Sequence, residues 1–100
     1  MRSWTVEQVQ QRPEIVRLGY FGSYARGDWG VGSDLDLIAV VNQTLESFER
    51  RSISWDLKDL PVPAEIIVYS LPEWEQLEKK DTKFARMLKS ETVWTFLKQT

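Results

Sequence analysis

Two aspartates separated by one leucine, Asp34-Leu35-Asp36, open the apolar run Leu37-Ile-Ala-Val-Val41. Residues two apart on a strand point the same way and lie about 6.6 Å apart along it, so both carboxylates leave one face near the strand's start. Such a pair repels itself unless a divalent ion or a cationic side chain neutralises it. The chain has no cysteine and no histidine, which removes thiolate nucleophiles, imidazole bases and the usual zinc ligands. Oxygen donors alone select Mg²⁺, Mn²⁺ or Ca²⁺. A third carboxylate, Glu65, heads the β-branched run Ala64-Glu-Ile-Ile-Val-Tyr-Ser70. If that strand neighbours the aspartate strand, the three acids converge. They would then meet the needs of a two-metal phosphoryl-transfer site, whose ions stand about 3.5–4 Å apart. Glu65 can instead accept the proton of an attacking hydroxyl.

Upstream, Gly22-Ser23 sits where the run Glu14-Ile-Val-Arg-Leu-Gly-Tyr-Phe21 meets a short polar segment. Unpaired backbone N–H groups at such a turn, a glycine that lets a ligand approach and a serine hydroxyl together form a cradle for phosphate. Taken singly, each feature has a plainer reading. Gly22-Ser23 is then a turn with a capping serine, Asp34 a loop residue, Glu65 a guard on an edge strand, and Arg26 the salt-bridge partner of either aspartate. Asp36 resists that treatment, because a carboxylate between Leu35 and Leu37 is costly unless exposed, paired or metal-bound.

These residues need strands to hold them. Ser3 is placed to cap a first helix using Val6 and Val9, ending at Arg12-Pro13. Residues 14–21 read as a first strand and 33–41 as a second, with Leu35, Leu37 and Ala39 on one face and Asp34, Asp36, Ile38 and Val40 on the other. A helix capped by Asn42 or Thr44 would carry Leu45, Phe48 and Trp55, and Pro61-Val-Pro63 would end it before the third strand, 64–70. Ser70 and Glu73, three apart around Pro72, form a capping-box pattern for a last helix burying Trp74, Leu77, Phe84 and Leu88. Glu91-Thr-Val-Trp-Thr-Phe-Leu97 reads as an edge strand or a helical tail. The five tryptophans read as packing residues, except Trp29, which a Gly-rich loop could expose to a partner or a base. Arg50-Arg51 and Lys79-Lys80 read as solvated helix faces.

At 100 residues, 28% charged and 42% hydrophobic, the chain is expected to form one domain over 1–100, of class α/β (α+β): a small mixed sheet with helices packed on it. No run is long enough to cross a bilayer and the N-terminus is too polar for a signal peptide, so a cytoplasmic location and no membrane contact are expected. A net charge of -2 disfavours direct nucleic-acid binding.

Gly22-Ser23, ten intervening residues and Asp34-Leu-Asp36 resemble the signature of the DNA polymerase β nucleotidyltransferase superfamily. The fuller string GSYARGDWGVGSDLDL is similar to its minimal nucleotidyltransferases, antitoxins paired with all-helical HEPN proteins. The resemblance implies a polymerase β-like fold in which Gly22 and Ser23 bind a nucleoside triphosphate and Asp34 and Asp36 hold two Mg²⁺ ions. Glu65 matches the third acid as ligand or base, and Arg26 matches a common arginine that meets phosphate or an acid. It further implies transfer of AMP from ATP to a hydroxyl, a tyrosine of a HEPN toxin. The alternatives are an antitoxin that acts by occlusion and a small-molecule nucleotidyltransferase.

Overall fold

The computed structural model describes residues 2–27, 30 and 33–98, so Asp28, Trp29, Val31 and Gly32 of the Gly-rich loop lie outside the described residues. Among the described residues four strands form the sheet: β1 (Ile15–Phe21), β2 (Leu35–Val41), β3 (Ala64–Ser70) and β4 (Val93–Leu97). They pair in the order β3-β2-β1-β4. β1 runs antiparallel to both β2 and β4, while β2 and β3 are parallel, so the sheet is mixed.

Alternation along β2 divides the core. Leu35, Leu37, Ala39 and Val41 pack on one face with Trp4, Trp55, Ile66 and Val68. Ile38 and Val40 pack on the other with Phe21, Trp74 and Leu88. A strand buried on both faces reads as a nearly continuous apolar run, which is why Asp36 stands out within it. The first face is covered by α1 (Arg2–Gln11) and residues 55–62; the second by α4 (Leu71–Lys79) and α5 (Lys83–Glu91). β4 comes so close to β1 at Gly19 that a Cβ there would stand 2.6 Å from the Val93 carbonyl oxygen.

The strands, the capping box and the end of the first helix fall where the pattern puts them; the start of the first helix and the two later helices do not. α1 begins before Ser3 and buries Trp4, Thr5 and Gln8, leaving Val6 exposed. Between β2 and β3 there is no long helix. One turn, α3 (Phe48–Arg51), runs on into a 3₁₀ turn, Ser52–Ser54, and its N-cap is Ser47. Two serines around the β-branched Ile53 hold a helix poorly. Trp55 instead adopts extended backbone and drops its indole against Trp4, with centroids 6.3 Å apart. Leu45 is wholly exposed.

The single last helix is in fact two. Ser70 accepts from the Glu73 N–H and Glu73 from the Ser70 N–H, starting α4 as the capping box requires. Lys80 then turns extended and Thr82 caps α5 by accepting from the Ala85 N–H. Asp81-Thr82 favours a cap over a helix interior. Residues 93–97 are the edge strand.

Arg51 is not a solvated residue. Its side chain is 11% exposed and makes a two-point pair with Glu73 at 2.6 and 3.3 Å. It also donates to the carbonyls of Val68 and Glu46, tying the α3 turn to β3 and α4. The Arg51 guanidinium hydrogen-bonded to Glu73 holds that carboxyl below its ordinary value, with Ser70 assisting and burial opposing. A lowered folded-state pKa gives stability that is present above the unfolded value and lost as pH falls through the folded one. Arg51→Met should therefore cost about 1–3 kcal/mol in urea unfolding at neutral pH, because it strips a charge-assisted pair and leaves a carbonyl unpaired. The difference from the native chain should shrink as pH falls through the lowered folded-state value of Glu73, below which the carboxyl is protonated in both states.

Candidate functional site

β1 ends beside the start of β2, because the two strands are antiparallel and Phe21 pairs with Asp36. β3 starts beside the same point, because it is parallel to β2 and Glu65 pairs with Asp36. The topology thus gathers the end of one strand and the heads of two others, and Gly22, Asp36 and Glu65 meet there. Asp36 and Glu65 leave the sheet on the face that carries Ile38, Ile67 and Phe21. Asp34 lies one residue before β2 and is exposed. The Leu35 N–H donates to the Pro63 carbonyl at 2.8 Å, pinning the heads of β2 and β3 together.

Burial raises the Asp36 pKa most, the charges of Glu65 and then Asp34 raise it further, and Arg26 alone lowers it. Glu65 and Asp34 thus each act on Asp36 electrostatically. Among the described residues no three acidic side chains stand close enough together to hold a metal ion as they are placed.

Gly22 caps α2 (Ser23–Arg26) with φ 77 and ψ -150, a region almost closed to residues with a Cβ. A Cβ there would also run into the Asp36 Oδ2. Glycine is thus required twice at this position, by backbone angle and by the carboxylate beside it. Its carbonyl accepts from the Arg26 N–H at 3.1 Å, closing the single turn that presents Ser23. Arg26 is exposed at the end of that turn and pairs with Glu91 of α5 at 3.9 Å.

The family profile described as a nucleotidyltransferase domain matches residues 2–95. The chain belongs to that family. Its fold is similar to a chain in a crystal structure of a toxin-antitoxin with AMP-PNP, at TM-score 0.56 and 14% identity, covering 98% of this chain and 74% of that one. No curated protein matches the chain.

For a nucleotidyltransferase domain the donor chemistry is apt: hard carboxylate oxygens on the heads of two adjacent strands, with Asp34 beside them, suit Mg²⁺. Gly22 leaves backbone bare next to Asp36, where a side chain would otherwise stand. A groove of about 630 Å³ between α1 and β4, lined by Val6, Val9, Tyr20, Val93 and Phe96 among others, lies on the opposite face of the sheet and holds no carboxylate. Space alone does not mark the site. Sequence reasoning missed two residues of the surroundings. Tyr24 donates to the Ser33 carbonyl at 3.4 Å, spanning the loop between the motif halves, and Glu91 reaches Arg26 from α5. Tyr24 was open to notice inside Gly22-Ser-Tyr-Ala-Arg26; Glu91 had no signal short of the fold.

Proposed function

We propose that this domain transfers AMP from ATP to a hydroxyl of a partner protein, a tyrosine of a HEPN-type toxin, and so serves as an antitoxin. The observation that carries the reading is Asp36, flanked in register by Glu65 and set against a glycine that cannot be replaced without striking it. Asp34, Asp36 and Glu65 would hold Mg²⁺, which when bound supplies charge neutralisation at the α-phosphate and a lowered pKa for the acceptor hydroxyl. Gly22 and Ser23 present backbone N–H and hydroxyl to the triphosphate, and Arg26 offers a cation beside it. The bond formed joins the acceptor oxygen to the α-phosphorus; the bond broken releases pyrophosphate. The acceptor proton leaves to Glu65 or to solvent.

A protein partner is consistent with the apolar side chains of Leu45, Phe48 and Ile53, the last 78% exposed, which the fold leaves in solvent between β2 and β3. The same relationship is suggested by the toxin-antitoxin likeness in fold.

Labelled ATP, Mg²⁺ and a HEPN-type partner should yield label on the partner that survives denaturation. Glu65→Gln keeps the shape and removes the charge. Transfer by that variant should fall by about 100-fold or more, the usual loss of a general base, while ATP binding survives in part. Near-normal turnover would demote Glu65 to a strand residue. Neutralisation of the partner with no label, equally by the native chain and by an Asp34→Asn/Asp36→Asn variant, would establish occlusion in place of transfer.

A further inference from the structure

We infer that Phe84 is the stacking platform for the nucleobase at this site; the inference rests on the nucleotide-binding reading above. α5 buries Ala85 and Leu88 completely, yet Phe84, at its second position, is 42% exposed. Its ring meets Phe21 at 6.3 Å between centroids and 85° between planes. A perpendicular contact occupies at most one face of the Phe84 ring, so the other is not covered by Phe21.

Phe21 is the cross-strand partner of Asp36 and the residue before Gly22. Directly opposed antiparallel residues stand about 5 Å apart, so the exposed ring packs on the residue that neighbours Asp36 and stands one side chain away from that carboxylate. A nucleotide whose phosphates lie at Gly22 and Asp36 projects its ribose and base outward from that point. An aromatic surface one side chain away meets the base.

The ring is also held in place. Thr82 caps the helix two residues before it. At the far end of α5, Glu91 pairs with Arg26 of α2, so the helix is tied to the turn that carries Ser23. Stacking on a phenyl ring uses the π-face that every base possesses. Phe84 therefore adds affinity without choosing among bases, and no hydrogen-bonding group need face the base edge for it to act.

The test is a Mg²⁺-containing titration of ATP, GTP and inorganic tripolyphosphate against the native chain, Phe84→Leu and Phe84→Trp, with melting curves to confirm the fold. Leucine keeps apolar contact with Phe21 but has no ring. Phe84→Leu should weaken ATP and GTP by the same factor, about tenfold, and leave tripolyphosphate unchanged. Phe84→Trp should bind both nucleotides at least as well as the native chain. ATP affinity unaltered by Phe84→Leu overturns the inference and leaves the nucleotide site standing. An equal loss for tripolyphosphate overturns it too, because the ring would then act by holding the phosphate end of the site. If the native chain binds neither ATP nor tripolyphosphate, the nucleotide-binding reading fails and the inference fails with it.

Discussion

Asp36→Asn is expected to abolish transfer and yet make the free protein more stable. Burial and the charges of Glu65 and Asp34 raise the pKa of Asp36 in the folded chain, against Arg26. A raised carboxyl pKa means that the folded state binds the proton more tightly than the unfolded one. The ionised group thus costs stability at neutral pH, and that cost is relieved as pH falls through the folded value toward the ordinary 3.8. Asparagine removes the repelled charge and keeps the shape. At a partly exposed position screening limits the gain to about 0.5 kcal/mol, or roughly 2–4 °C in melting temperature for a domain of this size.

Activity should move the other way. If Asp36 holds Mg²⁺ as proposed, its loss should reduce turnover by about 1,000-fold or more. The stabilisation by mass action that the proposal expects Mg²⁺ and ATP to give the native chain should vanish with it. Melting curves with and without Mg²⁺ and ATP test both halves. A variant that keeps full ligand stabilisation removes Asp36 from the metal site, and one that melts lower than the native chain shows that the carboxylate is paired rather than repelled.

The opposed signs explain why this site could be seen in the sequence at all. A charge between Leu35 and Leu37 breaks a pattern that the rest of β2 obeys, and a broken rule in a buried strand points to function. Strand periodicity is set by the two faces of one sheet, so β1, β2 and β3 could be read from residue type alone. The capping box of α4 was legible because both of its hydrogen bonds are local. What escaped was decided by distant contacts. Trp55 leaves a helix to reach Trp4, Arg51 is drawn from the surface by Glu73 and Val68, and Phe84 lies off a stripe that a break at residues 80–82 displaced. The meeting of Asp36 with Glu65 could be stated only as a condition, because a parallel neighbour is chosen by the connection between strands and not by either strand.

Gly22→Ala is expected to damage stability and activity together, for two separable reasons. With φ 77 and ψ -150, a residue bearing a Cβ is strained by about 1–3 kcal/mol. The new methyl also meets the Asp36 carboxylate, which must rotate or move away from its place opposite Glu65. A shift of about 1 Å in a positioned group can cost roughly 100-fold in rate, so transfer should fall even at temperatures where the variant is fully folded. The two causes part in a double-mutant cycle with Asp36→Ala, measured by urea unfolding. Removing the carboxylate abolishes the collision but not the backbone strain. Gly22→Ala should therefore cost less in the Asp36→Ala background than in the native one, while still costing something. Equal costs in both backgrounds would show that the carboxylate moves aside freely, and Gly22 would then be needed for its backbone angle alone. No cost in either background would mean that the turn into α2 readjusts, and that the close packing of glycine against Asp36 does not constrain the site.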